Sequence, residues 1–159
     1  MTIRPFEEQD ASACRALWAE LTRSHRALYD DASIGGDDPG SGFDAYLGEF
    51  AGARKWVAER GSTVIGFVGL IIRGKQGEIE PVVVSFDARG QGIGRRLMAR
   101  LASIAIERGW GRIDFHVLDW NPAREFYHRL GMEHLGEWLR YGADEAALKH
   151  LAKEDRQDR

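Results

Sequence analysis

The run Arg89-Gly90-Gln91-Gly92-Ile93-Gly94-Arg95-Arg96 puts three glycines directly before an apolar sequence of helical period. Glycines allow a tight turn and close approach of a ligand, and successive backbone N–H groups at such a strand-to-helix turn can point at one anion. Arg95 and Arg96 fall in the first helical turn, where the macrodipole already presents partial positive charge and favours Asp or Glu. A pyrophosphate held by the N–H groups of Gly92, Gly94 and Arg95, flanked by the arginine side chains, would turn that local conflict into complementarity. Upstream, Glu78 and Glu80 are two residues apart in a β-branched run and so point to one face of a strand. Two close carboxylates in a partly buried site raise one pKa, which suits that group to take a proton from an ammonium substrate, directly or through water.

The elements that must position these groups follow from periodicity. A first helix over Asp10–Leu28 places Ala13, Leu17, Leu21 and Leu28 on one face, with Asp10 or Ser12 as its cap. An exposed, turn-rich loop with four aspartates follows, which is either a solvated connection or a field that attracts a cationic substrate. A short helix then carries Phe43, Tyr46, Leu47 and Phe50. Gly61-Ser62 joins two antiparallel strands, Trp56–Arg60 and Thr63–Ile72, and a third strand, Glu78–Phe86, contains Pro81, the mark of a bulge or an unpaired N–H. Ile93, Leu97, Leu101, Ile104 and Ala105 define the strongest helix, stopped by Gly109. A strand over Arg112–Leu118 leads to a helix capped by Asn121 and ended by Gly131. A last strand over His134–Tyr141 and a terminal helix from Asp144 complete a mixed α/β (α+β) domain, residues 1–152, with a charged tail at 153–159.

Composition narrows the function. The chain has 159 residues, enough for one core without disulfides or a structural metal. Its net charge of −3 gives no global field for nucleic acid or anionic membrane, and its one cysteine, Cys14, suits a reducing cytoplasm. No signal-like or membrane-spanning run is evident. The five histidines show neither triad-like nor metal-like grouping, so no metal is expected. A nucleoside-triphosphate loop would need Gly-Lys-Ser/Thr at the helix start, and a dinucleotide turn would need glycine where Leu97 stands.

The stretch Val84-Ser-Phe-Asp-Ala-Arg89-Gly-Gln-Gly92-Ile-Gly94 resembles the acyl-CoA signature, Arg/Gln-x-x-Gly-x-Gly/Ala, of the GCN5-related N-acetyltransferase (GNAT) superfamily. The order of elements resembles that family over nearly the whole chain, and Asn121 and Phe126-Tyr127 stand at the matching place; Phe86 departs from it, where many members have proline. The resemblance implies a mostly antiparallel central sheet flanked by helices. It implies that acetyl-CoA is held by Val82, Val83, Val84, Arg89, Gly90, Gln91, Gly92, Ile93, Gly94, Arg95, Asn121 and Tyr127. By the same resemblance, Val82 and Val84 pair with the pantetheine arm, the Val84 N–H faces the oxyanion, Glu80 is the base, and the Tyr127 hydroxyl is the acid for the CoA sulfur. Tyr127 also lies on an apolar face with Ala123, Phe126 and Leu130, so simple packing is the competing reading. Leu118-Asp-Trp-Asn121, Ile79-Glu80 and the carboxy-terminal run resemble the diamine or polyamine branch. A small-molecule amine acceptor and a homodimer are thereby implied, and Trp18, His25, Tyr29 and Tyr46 are candidate acceptor-lining groups. A non-catalytic acyl-CoA sensor and a dinucleotide-binding oxidoreductase are the alternatives.

Overall fold

The computed structural model describes residues 1–73, 76–136 and 142–150. They fall into two compact units, Met1–Leu118 and Asp119–Arg159. The first unit holds β1 (Thr2–Pro5), α1 (Ala11–Tyr29), α2 (Ser41–Glu49), β2 (Arg54–Arg60), β3 (Thr63–Arg73), β4 (Gln76–Val84), α3 (Ile93–Glu107) and β5 (Ile113–Asp114). The five strands form one sheet in chain order; β1 to β4 pair antiparallel, and β5 runs parallel to β4. This is the mixed, mostly antiparallel sheet expected from the sequence.

Alternation along β3 assigns a face to each helix. A Cβ on Gly66 would meet Leu97 and Ile93 of α3, whereas Phe67 packs on Trp18 of α1 and Phe43 of α2. Helices therefore cover both faces. On the α1–α2 side, Cys14, Leu17, Phe43, Tyr46, Val57, Phe67 and Val83 form a buried cluster. On the other side α3 buries Ile93, Leu97, Leu101, Ile104 and Ala105, the stripe read from the sequence, together with Met98. Gly109, at φ 67°, ends α3 as expected, and the chain turns back through a Trp110 N–H to Ala105 C=O bond of 2.9 Å.

Several local expectations are corrected. The first helix buries Cys14, Leu17, Ala19 and Thr22, while Leu28 is exposed. Its apolar stripe is rotated toward Cys14 and Trp18 because α2 packs there. Asp10 is not a side-chain cap for α1. Its carboxylate accepts bonds from Arg4 Nη1 and Nη2 at 2.7 and 2.8 Å and from the Glu7 N–H at 2.8 Å. The acidic loop is partly neutralised within the fold: Asp38 pairs with Arg15, and Asp31 accepts bonds from Ser33. The strand expected over Arg112–Leu118 is only Ile113–Asp114. A bulge at Glu80-Pro81 bends β4 away beyond that point, and Pro81 has no N–H to offer a neighbour.

The Arg4–Asp10 clamp has a measurable weight. Asp10 is 4% exposed, and removing its carboxylate leaves the guanidinium with Glu59 and the Pro5 carbonyl. Asp10→Ala is expected to cost about 2 kcal/mol, or about 6 °C in Tm. Hydrogen bonds from Arg4 hold the Asp10 carboxyl below the usual aspartate range. Its contribution is thus full above about pH 4 and lost as pH falls through the lower folded-state value. Thermal melts of both proteins should converge in acid; a constant Tm gap down to pH 2 would contradict the clamp.

In the second unit, α4 (Ala123–Arg129) starts where Asn121 Oδ1 accepts the Ala123 N–H at 2.8 Å, so Asn121 caps the helix as expected. Gly131, at φ 80°, closes it. Residues 134–136 are not strand, and the rest of the expected last strand lies outside the described residues. Residues 145–150 are helical, with Asp144 Oδ1 accepting the Ala147 N–H. Among the described residues, no helix is long and apolar enough to cross a membrane.

Candidate active site

The glycine turn has the backbone its sequence requires. Gly90 and Gly92 sit at φ 73° and 78°, and an added Cβ at either would meet nothing within 4 Å, so both lie on an open surface. Gly92 is the residue before α3, and no side chain caps the helix. The first-turn N–H groups, having no carbonyl one turn back, are the donors an anion can use. These features fit a diphosphate.

Neighbouring side chains brace the turn. Glu20 of α1 accepts the Phe86 N–H at 2.9 Å. Arg60 Nη2 donates to Gln91 Oε1 at 2.8 Å, and Gln91 Nε2 donates to the Asp87 carbonyl at 3.0 Å. Arg60, at the end of β2, was missed from sequence because nothing local links it to residue 91. Arg89 donates to the Val84 carbonyl at 3.2 Å and lies over the Phe86 ring. Arg96 donates to the Met1 carbonyl at 3.2 Å, which ties it to the amino terminus. Arg95 is exposed in the first turn of α3.

On β4, the Ser85 N–H bonds to the Ile65 carbonyl, so Val84, paired with Gly66, is a non-hydrogen-bonded position of the β3–β4 ladder. The backbone groups of Val84 and Val82 consequently point away from β3, toward the β5 side. Pairing with β5 ends at Glu78 opposite Asp114. The splayed edge thus offers the N–H groups of Val82 and Val84 to an extended ligand, while Val83 turns its side chain into the core. Ile93 is likewise a core side chain.

Glu78 and Glu80 lie on the α1–α2 face of β4, for Glu78 pairs with Ile71, which alternates with Gly69 and Phe67. Arg73 Nε holds Glu78 at 2.6 Å, and His116 Nδ1 lies 3.7 Å from its other oxygen. Glu80 has some open surface, but the protein packed around it still weakens its hydration. That desolvation pushes its carboxyl above the ordinary carboxylate range; Glu78 and Glu49 push the same way, and His116 opposes them. Glu49, at the end of α2, is a further neighbour that no sequence pattern marked. Trp18 and Tyr46 stack with ring centroids 5.5 Å apart, and His25 stacks on Tyr29 at 5.0 Å. Burial, and then Arg89, lowers the His25 pKa. Cys14 is fully buried, and burial pushes its thiol up to about 12, so it packs as a neutral group.

In the second unit, Asn121 starts the helix that carries Tyr127, and Phe126 and Tyr127 meet edge to face at 5.1 Å. Burial raises the Tyr127 pKa, so the phenol keeps its proton at neutral pH.

Comparison with known proteins agrees with this geometry. The model of the acetyltransferase (GNAT) family matches residues 13–132. The thialysine N-epsilon-acetyltransferase of Mus musculus is 28% identical over 165 residues, covering 94% of this chain and 96% of the relative. An integron cassette protein from the mobile metagenome of V. cholerae has the same fold, with TM-score 0.73, 26% identity, and coverage of 96% of this chain and 97% of the other. The PaiA N-acetyltransferase of Thermoplasma acidophilum, solved in complex with coenzyme A, has TM-score 0.66 and 18% identity, covering 82% of this chain and 89% of that one. With the family match running from α1 through α4, the chain belongs to the GNAT family and is an acetyl-CoA-dependent N-acetyltransferase.

Proposed function

We propose that this protein moves the acetyl group of acetyl-CoA to a primary amine of a small molecule, such as a diamine or polyamine, by direct attack with Glu80 as base and Tyr127 as acid. The observation that carries the reading is the splayed β4 edge: a carboxyl with a raised pKa stands two residues from backbone N–H groups that, among the described residues, no strand uses. Acetyl-CoA supplies an activated thioester carbonyl. Val82 and Val84 donate along the pantetheine arm, and Gly92, Gly94 and Arg95 receive the diphosphate, with Arg89, Gly90, Gln91 and Ile93 shaping that turn. Asn121 adds a contact to the arm while capping α4. Glu80 takes a proton from the substrate ammonium, leaving a neutral nucleophile. The Val84 N–H donates to the carbonyl oxygen where negative charge develops. Tyr127 holds the proton that the departing thiolate requires.

The amine class draws support from the mouse relative, whose name specifies an amine substrate. Residues 1–152 act as one acetyltransferase domain in this reading, since the family match crosses both units. The enzyme works in the cytoplasm, which the lone cysteine supports, on a small molecule rather than nucleic acid or membrane, which the near-balanced charge supports; a homodimer is what the family resemblance implies.

A thiol-release assay with acetyl-CoA across diamines, amino acids, aminoglycosides and peptides tests the activity. Fastest release with diamines supports the reading, release only with another class replaces the acceptor, and CoA binding without release favours a sensor. In the same assay Tyr127→Phe should leave CoA affinity within twofold and cut turnover by at least about tenfold. Unchanged turnover would remove Tyr127 from the acid role.

A further inference from the structure

Arg60 is the last residue of β2, and Val84 is the last of β4. Both strands run antiparallel to β3, which lies between them, so they point the same way and end at the same side of the sheet. The glycine turn leaves β4 at that side, and α3 begins above β3, where Ile93 and Leu97 face Gly66. The sheet thus delivers a guanidinium to the turn from 31 positions upstream in the chain.

What Arg60 meets there is the side chain of Gln91, which is held at both ends. Arg60 Nη2 donates to Gln91 Oε1 at 2.8 Å, and Gln91 Nε2 donates to the Asp87 carbonyl at 3.0 Å. The chemistry admits no flipped amide, because a guanidinium has no acceptor and a carbonyl no donor. Glu59, the carboxylate next to Arg60 in the chain, is already taken by Arg4 and does not compete. Gln91 in turn sits between Gly90 and Gly92, both at positive φ. A residue between two glycines is the joint at which the turn would lose its shape most readily. A joint held before the ligand arrives loses less conformational entropy when the ligand binds. We propose that Arg60 is a positioning residue for the cofactor: by holding the Gln91 side chain it keeps the Gly90-Gln91-Gly92 backbone in the shape that receives the diphosphate. The inference rests on the reading of the glycine turn as the diphosphate seat. The effect of Arg60 passes through Gln91, which separates it from Arg95, whose charge acts on the ligand.

A double-mutant cycle tests that route, with calorimetry of CoA binding to Arg60→Ala, Gln91→Ala and the pair. Each single variant should raise the Kd for CoA about fivefold. The double variant should also lie about fivefold above the parent, because the second change removes a brace already broken. In steady-state kinetics of Arg60→Ala, KM for acetyl-CoA should rise by a similar factor while kcat stays within about twofold, since neither Glu80 nor Tyr127 is touched. A stability role alone would lower the Tm of Arg60→Ala and leave its Kd at the parent value, and that result overturns the proposal. Losses that multiply to about 25-fold in the double variant overturn it as well, for they make Arg60 a charge that acts on the phosphates directly. Arg95→Glu, measured alongside, tells the brace from the seat. A weakened Arg95→Glu with parent affinity in Arg60→Ala removes the brace alone, whereas parent affinity in Arg95→Glu removes the diphosphate seat on which the brace depends.

Discussion

Glu80→Gln is expected to lower kcat/KM by about a hundredfold or more while changing the Kd for CoA less than twofold. The amide keeps the side chain's size and much of its hydrogen bonding, so the packing of Pro81 and Gly69 at the bulge is retained. What disappears is the acceptor for the ammonium proton. In the parent enzyme, kcat/KM should fall as pH drops through the Glu80 pKa, and that acid limb should lie above the ordinary carboxylate range, since desolvation and then Glu78 raise the group. In Glu80→Gln the break at the Glu80 pKa should vanish, leaving a kcat/KM that rises about tenfold per pH unit with the neutral fraction of the amine. Glu78→Gln is the informative companion: removing the neighbouring negative charge should move the limb toward lower pH with a smaller loss of rate. Steady-state rates from pH 5 to pH 9 decide the matter. An acid limb of unchanged position in Glu80→Gln would assign it to another group.

The parts of this molecule legible in the sequence are those whose physics is local. The α3 stripe, its Gly109 stop, the Gly61 hairpin and the Pro81 bulge depend on neighbours a few residues away, and all are present. The same holds for the glycine turn and for the shared face of Glu78 and Glu80. Features set by distant chain were not legible. Asp10 has the right type for a cap, but Arg4 claims its carboxylate, and nothing in residues 8–12 signals this. Residues 115–118 are rich enough in apolar side chains for a strand, yet β4 has already turned away and offers no ladder. The Tyr46 hydroxyl and the Glu80 carbonyl both lie over Gly69, which brings three elements together, and Arg60 reaches Gln91 across 31 positions of chain. Such contacts arise only when the sheet closes.

Arg95→Glu should weaken binding of CoA about a hundredfold, equivalent to about 2.7 kcal/mol. An acidic residue in the first turn of a helix is favourable to the helix itself, because it answers the partial positive charge of the N-terminus. Thermal melts of variant and parent separate lost affinity from any change in the folding of α3. Arg96, next in the chain, donates to the Met1 carbonyl. Arg96→Glu consequently serves as the comparison: it changes the charge by the same amount one residue away but should cost much less affinity. The penalty for Arg95→Glu should also shrink at high salt, as a charge–charge effect at an exposed site must. Calorimetry with CoA and with dephospho-CoA separates the diphosphate from the terminal phosphate. Equal losses for both ligands place Arg95 at the diphosphate, whereas affinity within threefold of the parent would show that the cationic first turn of α3 serves something other than the cofactor.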